Sequence, residues 1–204
     1  MENEPILITM ARTMDREQID YRVLVEGPSS GKSSASSTEL ASIELNRRIC
    51  FPDGQVHTIV HHGGLFSIDS ELHVATTASR DQPTSWRAKE PPLAMFHRER
   101  TSLLGHRNVL ILSTEPERRY LLRRRSWFGS PANVDVVALS LGIPSQAEPI
   151  LLRAEKSGTW RQRLLARWMA PNELPVPIML YVLNVLADLD RRAAVAQSAG
   201  AAGL

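Results

Sequence analysis

The C-terminal part of the chain contains a long apolar run that leaves a helix no side to face water. From Ile178 to Leu189 almost every residue is apolar. A helix of this kind has to be buried on all of its faces. The run is shorter than the roughly 20 apolar residues that cross a bilayer, and Asn184 and Asp188 interrupt it. We therefore expect a buried helix over residues 176–196 rather than a membrane span.

The segments before this helix have the pattern of short β-strands. Residues 41–45 alternate between apolar and polar, which is the period of a half-buried strand. Asp53-Gly54 lies between two such segments and favours a tight hairpin, because both residues tolerate a positive φ. Residues 160–169 fit a strand or a helix. With about a dozen strand candidates and turn signals at short spacing, the sequence predicts a mostly β fold, either a sandwich or a barrel, rather than alternating strands and helices.

A fold of many strands followed by one apolar helix has a simple solution. The strands can close into a barrel around the helix, so that every face of the helix is covered by the inner face of the sheet. We therefore predict one domain over residues 1–204, built as a roughly twelve-stranded closed β-barrel that encloses a hydrophobic C-terminal α-helix.

Cysteine content and charge restrict the setting of the protein more than its function. The single cysteine, Cys50, excludes an intrachain disulfide and is compatible with a reducing compartment. The first ten residues carry acidic groups where a signal peptide needs basic ones. We expect a cytoplasmic protein that can also lie at a membrane surface. The formal net charge is +2, but residues 118–167 hold ten basic and three acidic residues.

A serine-rich stretch over residues 27–38 is predicted to be a flexible surface loop. Together with Glu26 it contains a string that is similar to a phosphate-binding loop, with Lys32 and Ser33 in the positions that would contact phosphate. The first glycine of that motif is replaced by Glu26, whose carboxylate would stand beside the phosphate. A nucleotide-binding enzyme that uses Lys32 and Ser33 is therefore an alternative, and we favour the loop.

The histidines do not suggest a metal site. His57 and His61 share a face of one predicted strand but lie roughly 13 Å apart along it. The sequence also lacks the glycine-flanked serine of a hydrolase nucleophile. We therefore expect no catalytic residues, no metal and no cofactor, and a protein that is not an enzyme.

The order of elements resembles the tubby C-terminal-like superfamily, which includes the LURP-one-related proteins and the phospholipid scramblases. The residues that carry the resemblance are the turn at 51–56, the strand at 119–125 and the closing segment at 174–192. The resemblance implies a twelve-stranded barrel around a C-terminal helix, and it implies binding of phosphoinositides, as in the best-known tubby proteins. The acidic calcium-binding segment and the cysteine cluster of the scramblases are missing from this sequence.

The basic excess supplies the candidate binding site. Two segments contribute arginines that would project side by side from the outer face of the barrel, and the predicted ligand-binding residues are Arg119, Arg123, Arg125, Arg161, Arg163 and Arg167. Guanidinium groups bind phosphate in bidentate fashion. We expect a non-enzymatic binding protein for anionic phospholipid headgroups. The alternative is a regulatory module that binds an acidic protein; nucleic acid would suit the same chemistry but is not favoured.

Overall fold

The computed structural model describes residues 4–14, 19–26, 37–44, 47–62, 69–74, 91–100, 106–113, 115, 118–126, 130–139, 148–157 and 163–201. Within these residues the chain forms twelve strands and one C-terminal helix. The strands are β1 Ile6–Met14, β2 Ile19–Glu26, β3 Ser37–Glu44, β4 Arg48–Cys50, β5 Val56–His61, β6 Ser70–Val74, β7 Ala94–Arg100, β8 His106–Leu112, β9 Arg119–Arg124, β10 Val134–Leu139, β11 Ile150–Ser157 and β12 Arg163–Trp168. The helix is α1 Val176–Ala201.

The strands form a closed antiparallel barrel in which each strand pairs with its neighbours in sequence. β1 pairs with both β2 and β12, and this second pairing closes the barrel. The predicted fold class is thus confirmed. The hairpin between β4 and β5 turns at Gly54, which has a φ of +87°, and the Asp53 carboxylate accepts a hydrogen bond from the Gln55 backbone N–H at 2.9 Å. The Asp-Gly dipeptide therefore acts as the sequence predicts.

The barrel interior is filled by α1. From Ile178 to Asp188 no residue of the helix is more than 6% exposed. Inward-facing side chains of the strands pack around it, among them Ile8, Phe96 and Tyr120. Within the part of the chain that the structure describes, neither amide atom of the buried Asn184 side chain has a hydrogen-bond partner. The expectation of a helix that is buried on every face is confirmed for residues 178–188, whereas residues 194–196 of the predicted helix are exposed.

Polar contacts fix the helix where it enters the barrel. Before α1 begins, the Trp168 indole N–H donates to the Leu174 carbonyl at 3.1 Å, and the Tyr120 hydroxyl donates to the Glu173 carbonyl at 2.8 Å.

A second set of contacts fixes the helix where it leaves. Asp190 pairs with Lys156 at 2.7 Å and accepts a hydrogen bond from Ser130 at 2.6 Å. We call the end of the barrel at which α1 emerges the exit end. There the odd-numbered strands end and the even-numbered strands begin. The other end is called the opposite end.

Two boundaries differ from the sequence prediction, and one segment that the sequence left ambiguous forms a strand. Ser37 and Thr38 belong to β3, so the predicted loop over 27–38 is too long, and its residues 27–36 lie outside the described residues. The helix extends to Ala201, beyond the predicted end at 196. Residues 163–168 of the ambiguous segment form β12, because pairing with β1 and β11 on both sides favours the strand.

Candidate functional site

The arginines of β9 and β12 point away from the core. On β12, Leu164, Ala166 and Trp168 are buried against the helix, so the alternate positions Arg163 and Arg167 face outward and are exposed. On β9, Tyr120 and Leu122 are buried, which directs Arg119 and Arg123 outward, and Arg125 follows the end of the strand. Arg161 lies outside the described residues.

These two groups of arginines are not adjacent. β10 and β11 lie between β9 and β12. With strands about 4.8 Å apart, the backbones of the two groups are separated by about 14 Å. The expectation that the groups lie side by side therefore needs correction, because the barrel places each strand next to its neighbours in sequence and puts two further strands in the gap.

The two intervening strands connect the groups through one row of paired positions. Arg123 of β9 is opposite Asp135 of β10, which is opposite Arg153 of β11, and Arg153 is opposite Arg167 of β12. Four outward positions thus form a continuous row across four strands, with three arginines and one carboxylate. We call these four residues the arginine row.

Asp135 sets the geometry at the centre of this row. Arg153 donates to both of its carboxylate oxygens, with Nε–Oδ1 at 2.8 Å and Nη2–Oδ2 at 3.2 Å. This hydrogen bond and the negative charge of Asp135 raise the pKa of Arg153. The Asp135 side chain is 7% exposed, so the surrounding side chains cover it. Asp135 therefore holds Arg153 in one orientation while reducing the net charge of the row to +2.

Two of the predicted arginines form ion pairs with carboxylates. Arg119 pairs with Glu99 at 3.4 Å, and Glu99 also pairs with Arg107 at 2.6 Å. Arg125 pairs with Glu155 at 3.2 Å and donates to the Ala154 carbonyl at 3.2 Å. Burial alone would raise the pKa of Glu99, but hydrogen bonds from Arg107 and His97 outweigh it and lower that pKa. Glu99 consequently stays ionised and reduces the availability of Arg119 for a ligand.

Three of the predicted arginines keep their donors available. Arg123, Arg163 and Arg167 make no ion pair and no side-chain hydrogen bond to any other described residue. Each guanidinium has five N–H donors in a rigid fork that suits phosphate or carboxylate. These three residues are the part of the predicted site that can bind an external anion.

A small pocket lies at the exit end beside the emerging helix. Its apolar wall includes Met10 and Leu164, and its polar wall includes Lys156, Arg163 and Asp190. Because Lys156 is already paired with Asp190, Arg163 is the cation of this pocket that remains available.

Other candidate chemistry is not assembled in the described part of the chain. Within it, no group of three His, Cys, Asp or Glu residues could hold a metal ion. The string similar to a phosphate-binding loop lies outside the described residues except for Glu26, an exposed residue that accepts a hydrogen bond from the Thr9 hydroxyl at 3.3 Å. Of the helices formed by the described residues, none has the length and apolarity that a membrane span requires.

Comparisons of this chain with models of protein families, with curated proteins and with solved structures find no match. The resemblance to the tubby C-terminal-like superfamily therefore stays a prediction. The function has to be argued from the surface of the barrel itself.

Sequence reasoning missed Arg153 and Asp135 as members of the row. Alternation along β11 would have directed Arg153 outward, since Leu152 and Ala154 on either side of it are buried. Its alignment with Arg123 and Arg167 depends on the register of three strand pairs, and an irregularity in the β10–β11 register lies next to it, between Val136 and Val137. No local signal in the sequence reveals that register.

Proposed function

We propose that this protein is a non-enzymatic binding protein for anionic phospholipid headgroups. The observation that carries the proposal is a set of exposed arginines that make no ion pair and no side-chain hydrogen bond to a described residue. These are Arg123, Arg163 and Arg167, on the outer wall of a barrel whose interior is filled by α1. The resemblance to the tubby superfamily supports the same ligand class.

The filled interior favours a surface function over a carrier or a buried active site. α1 occupies the space that a ligand would take in a hollow barrel, and its residues from Ile178 to Asp188 are buried. A ligand of this protein therefore has to bind on the outer wall or at an end. Free guanidinium groups on that wall select for anions, and lipid phosphates offer them at high density.

The expected strength follows from the number of available charges. Each basic residue near an anionic membrane contributes about 1 kcal/mol. If all three reached the bilayer together they would contribute about 3 kcal/mol, or about a hundredfold in affinity, and this is the upper limit for these residues. This attraction is enough for reversible recruitment and falls with added salt, because exposed charges are screened beyond about 8 Å at physiological ionic strength.

The test is sedimentation with vesicles that contain phosphatidylserine in phosphatidylcholine. The triple variant Arg123→Glu/Arg163→Glu/Arg167→Glu should lose binding by at least a hundredfold. The matched control, with lysine at the same three positions, keeps the charge and should retain most of the binding. Equal binding by the wild type and the glutamate variant would refute the proposal. The regulatory module would be favoured instead if the wild type did not bind vesicles but captured an acidic protein, and if the glutamate variant no longer captured that protein.

A further inference from the structure

The charged residues of the barrel are distributed unequally between its two ends. Among residues whose side chains the structure describes, the half at the exit end has thirteen basic against nine acidic residues. The basic residues are Arg12, Arg22, Arg47, Arg48, Arg98, Arg107, Arg123, Arg124, Arg125, Lys156, Arg163, Arg191 and Arg192. The acidic residues are Asp20, Glu44, Asp69, Glu71, Glu99, Asp135, Glu155, Asp188 and Asp190.

The half at the opposite end has the reverse balance, with four basic against seven acidic residues. The basic residues are Arg118, Arg119, Arg153 and Arg167, and the acidic residues are Glu4, Glu26, Glu39, Asp53, Glu115, Glu148 and Glu173. The described residues therefore carry a net charge of +4 in the exit half and −3 in the other half. Asp135 and Arg153 form an ion pair across the boundary between the halves, and leaving both out gives +5 and −4.

Because salt screens charges over a distance shorter than the barrel, a charged surface interacts with the charges of one end of the barrel at a time. From Val176 to Asp190 the enclosed part of α1 spans about 22 Å at 1.5 Å per residue. This length is more than twice the screening length of about 8 Å at physiological ionic strength. The charges at the far end therefore contribute little, and an anionic surface attracts the exit end and repels the opposite end.

The segment of α1 that projects from the exit end is compatible with such a surface. After Arg192 the helix has no charged residue as far as Ala201. Residues 194–199 are exposed, including Val195 at 62%. Arg191 and Arg192 are held at the rim by Asp188, at 2.6 Å and 2.7 Å. No charged side chain of residues 193–201 would therefore be buried when this segment approaches a bilayer.

We propose that the exit end is the membrane-facing surface of this protein, with the projecting part of α1 at the contact and the opposite end directed away from the bilayer. The partner is the surface of an anionic bilayer. This inference rests on the proposed function and adds an orientation to it.

β12 provides an internal comparison for this orientation. Arg163 and Arg167 are both exposed arginines on the outer face of the strand, without an ion pair to a described residue. Arg163 lies at the exit end, and Arg167 lies about 13 Å further along the strand towards the opposite end. If the barrel instead lay on its side, Arg167 would contact the bilayer together with its cross-strand neighbour Leu7, which is 42% exposed.

The first measurement compares single charge reversals on vesicles of phosphatidylserine and phosphatidylcholine. Arg163→Glu should weaken binding about thirty-fold, which corresponds to about 2 kcal/mol for a change of two charges. Arg167→Glu should change binding less than about threefold, because its charge lies beyond the screening length. Equal losses in the two variants would show that the wall of the barrel binds, and would overturn the orientation.

The second measurement places an environment-sensitive dye at either end. In a Cys50→Ser background, Ser198→Cys labels the projecting helix and Gln55→Cys labels the β4–β5 turn at the opposite end; both positions are exposed. Vesicles should shift the emission of the dye to shorter wavelengths at position 198 and leave it unchanged at position 55. The orientation would be overturned, without affecting the proposed function, if the protein bound and the dye at position 55 shifted, alone or together with position 198. Binding with no shift at either position would overturn it too. Absence of binding by the unlabelled protein would overturn the proposed function as well.

Discussion

The central helix should be the element on which folding most depends, and Leu183 tests this directly. Leu183 is 0% exposed near the middle of the enclosed segment. Removing its side chain in Leu183→Ala loses the free energy of burial and leaves a cavity that the surrounding barrel can fill only in part. Buried Leu→Ala substitutions cost about 2–5 kcal/mol. We expect a value in the upper half of this range, because the residue is covered on all sides and a closed sheet relaxes little.

The more severe substitution Leu183→Asp adds the cost of an unpaired buried charge. The variant loses about 2 kcal/mol of apolar burial, and burying the carboxylate costs several kcal/mol more. Their sum approaches the whole stability of a typical domain, which is about 5–15 kcal/mol. This variant should not fold. Val195→Asp is the matched control on the same helix: Val195 is 62% exposed, and surface substitutions change stability by about 0.5 kcal/mol or less.

The measurement is chemical denaturation followed by circular dichroism, with the midpoint and slope compared among wild type, Leu183→Ala and Val195→Asp. The reasoning would be refuted if Leu183→Ala cost less than about 1 kcal/mol, or if Leu183→Asp folded with the midpoint of the Val195→Asp control. Either result would mean that position 183 is accessible to water and that the helix is not enclosed.

Three further predictions concern individual residues. Asn184→Ala should change the free energy of unfolding by less than about 1 kcal/mol in denaturation experiments. It removes the packing of a buried amide that has no hydrogen-bond partner among the described residues; a loss above about 2 kcal/mol would show that the amide is paired. Gly54→Ala should cost about 1 kcal/mol, since its φ of +87° is unfavourable for other residues; an unchanged thermal midpoint would contradict this. Burial lowers the pKa of His57, against an opposing effect of Asp53. On acidification the unfolded chain therefore binds a proton at a higher pH than the folded protein does, and the free energy of unfolding should fall as the pH drops below about 6.5. His57→Leu should reduce this loss of stability between pH 7.5 and 5.5, and an unaltered pH profile would argue against the assignment.

The fold could be predicted because its main signals are local. The apolar run at 178–189 requires burial on all faces, and a barrel is the arrangement of many short strands that provides it. Asp53-Gly54 predicts the β4–β5 turn from the local sequence alone. Residues 163–168 were ambiguous because a strand and a helix both place Leu164 and Trp168 on one face. Pairing with β1, more than 150 residues earlier in the chain, decides the strand.

The candidate site could be predicted only in part, because its ion pairs depend on contacts between residues that are distant in the sequence. Alternation identifies which arginines face outward. It does not show that Glu99 lies beside Arg119, twenty residues later, or that Asp135 lies between Arg123 and Arg153. These carboxylates neutralise part of the predicted patch, and they determine which arginines remain available. The charge difference between the two ends likewise becomes visible when the strand directions are known.

Vesicle binding of the wild-type protein as a function of salt tests the central claim most directly. The protein is sedimented with vesicles of phosphatidylserine in phosphatidylcholine and with phosphatidylcholine alone, at about 0.1 M and about 1 M salt, where the screening lengths are about 10 Å and 3 Å. We predict recovery with the anionic vesicles at low salt, a large loss at high salt and little recovery with the neutral vesicles. Recovery that is the same for both compositions, or that salt does not change, would contradict recognition of anionic headgroups by the arginines.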